Sequence, residues 1–344
     1  MLFALSEESL LTQALVFVAA AVVIGIVGIR LASLADRLSM VTRLGQALIG
    51  AMLLGATTSL PGIITSVAAA AGGHPTLAIS NAIGGIAAQT AFLTIADFAY
   101  RQANLEHAAA SAANLINGAL LVSLLAIPLA AMAAPEVALW QVSPASALIL
   151  LAYMKGQQIA LAVHEQPMWR PRRTVLTTIE DKDPVISDTR RGPLIAGVLA
   201  LAAITGSAGL VLTESAIALA DTTGIGEQAV GGVMTAIVTS LPELVTSVAA
   251  VRRGAPNLAV GGILGGNAFD VLFLAFADIA YRDGSIYHAF TSAHVFVIAV
   301  TILMTGVLMV GLLRREEQGP AGIGFESTTV LALYAVSVFI MVTR

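Results

Sequence analysis

The residues best suited to chemistry are two carboxylates, Glu243 and Asp270, and the oxygen-bearing side chains spaced around them. Glu243 follows Thr239 by four residues and Ser240 by three, so on a helix all three share one face. Asn267 precedes Asp270 by three, with the same consequence. Both acids fall within stretches apolar enough to cross a bilayer. A carboxylate there costs at least about 2.5 kcal/mol and is a functional hypothesis by default. Two such acids on adjacent helices could neutralise one divalent cation, or one monovalent cation and a proton. The competing reading is a structural polar network.

The sequence Thr-Ser-Leu-Pro occurs twice, at 58–61 and 239–242; Glu243 follows the second copy and Gly62 the first. Pro61 and Pro242 lack an N–H and clash with the preceding turn, so the carbonyls of Thr57 and Val238 lose their helical donors. Such breaks persist in a membrane only where protein, water or an ion satisfies the freed groups. Thr58, Ser59, Thr239 and Ser240 add hydroxyl oxygens beside them. This is a hard-oxygen set, suited to Na+ or Ca2+ and not to soft metals. Alternatively the hydroxyls bond back to their own helices.

These residues need apolar helices to position them, and the composition supplies them. Of 344 residues, 57% are hydrophobic and 11% charged, against about 25% charged in soluble domains; the mean hydropathy is +0.88. The expected fold is an all-α polytopic membrane protein with ten transmembrane helices, near 11–33, 44–70, 75–98, 108–133, 145–164, 193–215, 226–250, 256–280, 290–313 and 326–343. A charged, proline-containing connection, 165–192, separates a first five-helix half (1–164) from a second (193–344). Fourteen of the seventeen Lys and Arg residues fall on the side of that connection, two on the other, and Lys155 falls inside a span. By the positive-inside rule the connection is cytoplasmic and both termini lie outside. There is no cysteine, so thiol and disulfide chemistry are excluded. The histidines lack metal-ligand spacing, no basic aromatic patch suggests nucleic acid, no signal-peptide pattern opens the chain, and no nucleophile–base arrangement suggests an enzyme.

Residues 45–101 align without a gap on 226–282, with 25 of 57 positions identical. The matches include TSLP, the glycine pairs 84–85 and 265–266, Asp97/Asp278 and Tyr100-Arg101/Tyr281-Arg282. Five spans per half make the second half enter from the opposite side, giving two inverted five-helix repeats with a site near the midplane. The glycine pairs are read as close approaches or breaks. Asp97–Arg101 and Asp278–Arg282 are read as interfacial anchors. Lys155 either snorkels to an interface or stands as a fixed cation near the site.

The duplicated TSLP with TSLPE and GGNAFD resembles the calcium/cation exchanger superfamily, which contains the sodium/calcium exchangers. The resemblance implies cation antiport through a site on the second, third, seventh and eighth spans, with the first and sixth spans sliding to change access. It implies the ligands Thr239, Ser240, Glu243, Asn267 and Asp270 in the second repeat and Thr58 and Ser59 in the first. The first repeat departs from the family pattern: Gly62 stands in place of glutamate, Ile86 of Asn, and Gln89 of Asn or Asp. Glu243 and Asp270 are therefore the expected metal-binding carboxylates, with Gln89 completing the shell.

The function expected is secondary cation antiport, Ca2+ against Na+ or H+. Na+/H+ antiport and a non-transporting regulatory relative are the alternatives. No cofactor is expected beyond the transported cations, and the expected partners are inorganic cations and the lipid bilayer. A bacterial inner membrane is the expected location.

Overall fold

The computed structural model describes residues 5–42, 55–100, 102–172, 174, 191–317 and 324–343. Among these the regular elements are helical, apart from one bridge between Leu139 and Val142. In chain order they are α1 (Leu10–Thr42), α2 (Leu60–Ala71), α3 (Pro75–Ala99), the short α4 (Leu105–Ala108), α5 (Ala112–Ala133), α6 (Pro144–Glu165) and α7 (Arg191–Thr223). There follow α8 (Glu227–Thr239), which contains a π turn at Val230–Thr235, then α9 (Leu241–Arg252), α10 (Pro256–Asp270), α11 (Leu272–Ala280), α12 (Ser292–Arg314) and α13 (Phe325–Thr343).

Proline opens many of these helices. Pro61, Pro75, Pro144, Pro242 and Pro256 sit in the first positions of α2, α3, α6, α9 and α10. There the missing N–H falls among donors that have no intrahelical partner anyway. The chain enters α5 through Ser111, which accepts the Asn114 N–H, and α12 through Thr291 in a capping box with His294.

Seven described helices, and α10 with α11 taken as one, are long and apolar enough to cross a membrane; a ninth span results if α8 and α9, bent by 44° at Ser240, are joined. The span expected at 44–70 is described only from 55, where a helical turn runs into a bend at Ser59 and then α2; its start lies outside the described residues, as does most of the 165–192 connection. The remaining expected spans coincide with helices to within a few residues, except that α1 and α7 are longer, at 33 residues each. At 1.5 Å per residue they run about 50 Å, well past the roughly 30 Å hydrocarbon layer.

Helix α3 runs through the middle of the bundle: 83% of its most apolar window is buried, against 22% for α1. It contacts α2, α8, α9, α10, α12 and α13, while α1 lies chiefly along α7. Polar side chains on α3 therefore point into protein, and Asn81, Gln89 and Thr90 are all buried. This fixes where the chemistry sits.

Asp97 and Asp278 are buried acceptors, which corrects their reading as interfacial anchors paired with arginine. They are 1% and 0% exposed. Asp97 accepts from the Leu105 N–H (2.9 Å), the Ser327 hydroxyl (2.8 Å) and the Gly324 N–H (3.4 Å). Asp278 accepts from the Ile286 N–H (2.9 Å), the Ser146 hydroxyl (2.6 Å) and the Ser143 N–H (2.8 Å). Partner by partner the two sets are related by the 181-residue offset of the duplication: Leu105 with Ile286, Ser143 with Gly324, Ser146 with Ser327. Each aspartate reaches into the other half of the chain, Asp97 to the start of α13 and Asp278 to the start of α6. Arg101, the expected partner of Asp97, lies outside the described residues.

Asp278→Ala leaves the Ser143 and Ile286 N–H groups buried without an acceptor, each costing about 1–3 kcal/mol, while the Ser146 hydroxyl keeps Tyr287. The unfolding midpoint in detergent, followed by fluorescence, should fall by well over the change seen for a surface control such as Asp283→Ala.

Candidate functional site

The two TSLP bends have nearly the same backbone. Ser59 has φ −87° and ψ 4°, Ser240 φ −98° and ψ 4°. At both, the threonine hydroxyl folds back on its own helix: Thr58 donates to the Gly55 carbonyl (3.1 Å) and Thr239 to the Ala236 carbonyl (3.3 Å). The bonding-back alternative thus holds for the threonines, although Thr58 also lies beside the Glu243 carboxyl. The serines reach outward instead. Ser59 donates to Asp270 Oδ1 at 2.6 Å, and Ser240 Oγ accepts from Gln89 Nε2 at 3.1 Å.

Asp270 is the last residue of α10, where Val271 interrupts the helix before α11. Its second oxygen, Oδ2, accepts from Gln89 Nε2 at 2.6 Å. A carboxylate of the second half is thus held by two donors of the first half, Ser59 from the α2 bend and Gln89 from α3. Glu243, in the first turn of α9, is 7% exposed and feels the charge of Asp270. Neither of its oxygens has a hydrogen-bond partner among the described residues. The Oε1 of Gln89 and the Oδ1 of Asn267 are buried and lack a donor as well; the Asn267 amide nitrogen is used on Thr90 Oγ1 at 2.8 Å. Neither acid forms an ion pair with Lys or Arg among the described residues.

Of the expected site residues, Ser59, Gln89, Ser240 and Asp270 are joined by hydrogen bonds and Glu243 lies beside Asp270 and Thr58, whereas Asn267 is bonded to Thr90 and Thr239 to Asn81 and its own helix. Oxygens that accept nothing where oxygens should accept something point to a hard cation. No group of three Asp, Glu, His or Cys side chains forms a ready-made metal cage among the described residues. The donor set is two carboxylates completed by amide and hydroxyl oxygens. A hollow of about 430 Å³ between the ends of α3 and α9, bounded by Ile95, Phe98, Ala99, Val248 and Arg252, includes none of these residues.

Asn81 was not singled out by the sequence, yet it ties the two bends together. Its Nδ2 donates to the Gly62 carbonyl (3.2 Å) and the Ser66 hydroxyl (2.9 Å), and its Oδ1 accepts from Thr235 (2.8 Å) and Thr239 (3.5 Å). A buried amide in a span is the signal that could have found it. Position 81 matches Gly262 in the duplication, so the repeat comparison gave it no weight. The break after Asp270 was missed because no proline marks it.

Gly62 has a steric explanation. A Cβ there would lie 2.6 Å from Cε2 of Phe273, and one at Gly55 would lie 3.2 Å from the Phe269 ring. Tyr153, Phe269 and Phe273 form an edge-to-face row, with centroids 5.7 and 6.5 Å apart. Aromatic rings fill the space beside the first bend. Ile86 is a buried core residue facing no polar partner.

Of the glycine pairs, Gly84 is a close approach: a Cβ would sit 2.3 Å from the Gly232 carbonyl oxygen of α8. Gly265 and Gly266 have ordinary room, with nearest neighbours at 3.7 Å. Lys155 is exposed on α6 and its ammonium donates to Gln158 at 3.5 Å, so it is not a cation of the site. Further glycines seat the long outer helices on the bends. A Cβ at Gly28 of α1 would lie 2.7 Å from Pro242, and one at Gly209 of α7 would lie 3.3 Å from the Pro61 carbonyl.

Comparison with known proteins bears on the fold and the family. The chain is 32% identical over 114 residues to the inner membrane protein YrbG of Escherichia coli, a match covering 33% of the chain and 34% of that relative. The matched stretch thus spans about a third of the relative's length. Among solved structures, the H+/Ca2+ exchanger CAX superposes with a TM-score of 0.66 at 13% identity, over 97% of this chain and 85% of that one. The sodium-calcium exchanger NCX_Mj superposes at 0.60 and 17% identity, over 96% and 99%. These two likenesses are of fold. The model of the sodium/calcium exchanger protein family matches residues 12–154 and 192–343. The chain is an integral membrane protein and belongs to the sodium/calcium exchanger family, whose members are secondary transporters and not enzymes.

Proposed function

We propose that the chain is a secondary cation antiporter that binds its cation between Glu243 and Asp270 and exchanges Ca2+ for Na+ or H+. The observation that carries this is Glu243: a buried carboxylate supported only by the Thr58 hydroxyl and its own backbone, beside a second carboxylate, with no basic side chain paired to either among the described residues. A dehydrated cation supplies the missing positive charge; protons supply it when the cation leaves. Ser59, Gln89, Thr58, Thr239, Ser240 and Asn267 complete the shell.

The architecture proposed with it is ten spans in two inverted five-helix repeats, 1–164 and 193–344, joined by a cytoplasmic connection at 165–192, with both termini outside a bacterial inner membrane. The matched hydrogen bonds of Asp97 and Asp278 support the repeat, and the distribution of Lys and Arg supports the orientation. Helices α1 and α7 touch the bends through glycine, a contact with little to interlock, which suits sliding of this pair over the site.

A second reading, Na+ against H+, draws support from Phe273. Its ring fills the place a first-repeat carboxylate would need, leaving two charges and not three or more to balance the cargo. A chain that moved no ion would be a regulatory relative.

Purified protein in liposomes distinguishes these readings. Uptake of radiolabelled Ca2+ driven by an outward Na+ or H+ gradient marks the first; a lumenal pH change on adding Na+, without Ca2+ uptake, marks the second. Glu243→Gln should abolish exchange while leaving the protein inserted and monodisperse, and undiminished exchange would remove Glu243 from the site. Gly62→Glu alone should lower the unfolding midpoint, because its Cβ meets Phe273. Combined with Phe273→Ala it should recover the midpoint and raise preference for Ca2+ over Na+ by roughly tenfold or more, as added ligand charge does at oxygen sites. An unchanged preference in the double variant would make Gly62 incidental.

A further inference from the structure

A second group of buried acids lies away from Glu243 and Asp270, where α4 and the start of α13 meet the end of α12. Glu106 of α4 is 1% exposed and Glu326, in the first turn of α13, is 0% exposed. Among the described residues, both oxygens of Glu106 and Oε1 of Glu326 accept from no other residue, each carboxyl having its own backbone N–H beside it. Nor does Oδ1 of Asn104, a neutral side chain that is itself buried and whose Nδ2 lies 3.5 Å from Glu326 Oε2. Four buried acceptor atoms in this part of the bundle thus have no donor from another described residue, and one of them belongs to no acid.

The surroundings make this worse for an anion. Asp97 adds its charge, but its oxygens are already taken by Leu105, Ser327 and Gly324. Glu326 packs against Gly311, where a Cβ would lie 2.2 Å from its Cγ, in the last turn of α12. A helix C-terminus carries partial negative charge and repels a carboxylate. The described arginines there, Arg314 and Arg315, are directed elsewhere. Arg314 pairs with Glu316 and covers the Phe325 ring, and Arg315 donates to the carbonyls of His107 and Arg172.

The duplication does not account for the group. The positions matching Asn104, Glu106 and Glu326 are Ser285, Tyr287 and Ala145. At that end the Tyr287 hydroxyl hydrogen-bonds Ser146 at 2.9 Å, and Glu136 accepts the Ser285 N–H at 3.1 Å beside Asp278. Glu106 and Glu326 themselves have no acidic counterpart there.

We propose that Glu106, Glu326 and Asn104 form a second cation site, distinct from the transport site, which takes a hard divalent ion such as Ca2+ and clamps the segment after α3 to the start of α13. All its donors are oxygens, the ligand type that Ca2+ uses and soft metals do not. The proposal does not depend on what the chain transports.

The test uses the full chain in detergent, with Glu243→Gln and Asp270→Asn together silencing the transport site. This background should still bind radiolabelled Ca2+ as a single class of sites, and Ca2+ should raise its unfolding midpoint. Adding Glu106→Gln and Glu326→Gln should weaken binding by at least about tenfold and remove the midpoint rise. Absence of both signals from the background overturns the proposal, and so does their persistence after the second pair of substitutions. Should the second pair keep the protein from purifying, the background's own response to Ca2+ decides: a rise supports the site, and none overturns it.

Discussion

Negative charge held out of water without a resident positive partner is the constraint on which this molecule is organised. A bare carboxylate inside a bilayer-spanning bundle is stabilised only by donors brought to it or by an ion that visits it. Asp270 has the first kind of support, from Ser59 and Gln89. Glu243 has only the Thr58 hydroxyl and its own backbone beside it among the described residues, and so remains available for the second. The division of labour follows from location: Asp270 ends a helix and faces the polar side of α3, whereas Glu243 begins one, in a turn where proline has removed a backbone donor.

Bringing donors to the acids dictates the character of α3. It must be buried all round to carry Asn81, Gln89 and Thr90 to the centre, and it lacks the apolar stripe of a surface helix. Small residues permit the close approaches this needs, with Gly84 against the α8 backbone and glycines of α1 and α7 against the two proline bends. Aromatic bulk has filled the first bend, where Phe273 stands in the direction a side chain at 62 would take. The two bends share backbone angles but not environment, which places the difference between them in side chains alone.

Much of this was legible in the residues. Apart from the longer α1 and α7, apolar runs located the described helices to within a few positions, prolines located the bends, and helical spacing grouped Glu243 with Thr239 and Ser240. What stayed hidden were contacts between halves. The 181-residue offset reveals which positions correspond, but not that Asp97 and Asp278 each bond the opposite half; from sequence alone, a nearby arginine looked the better partner. Asn81 was concealed for a related reason, since its counterpart is glycine and a pattern of shared residues passes over what one copy has alone. Lys155 misled in the other direction: a charge within an apolar run need not face inward, and this one lies on the outer face of α6.

The exchanged aspartate contacts also bear on how the chain is made. Ser327 follows Asp97 by 230 residues. At about 5–20 residues per second, the ribosome needs on the order of ten to fifty seconds to deliver it. During that interval the carboxylate at the end of α3 has lost bulk water as its helix inserts and has not yet met its hydroxyl donor. Asp278 suffers no such delay, because Ser143 and Ser146 are synthesised before it. Nascent protein is thus most vulnerable to quality-control proteases between insertion of the third helix and arrival of the last.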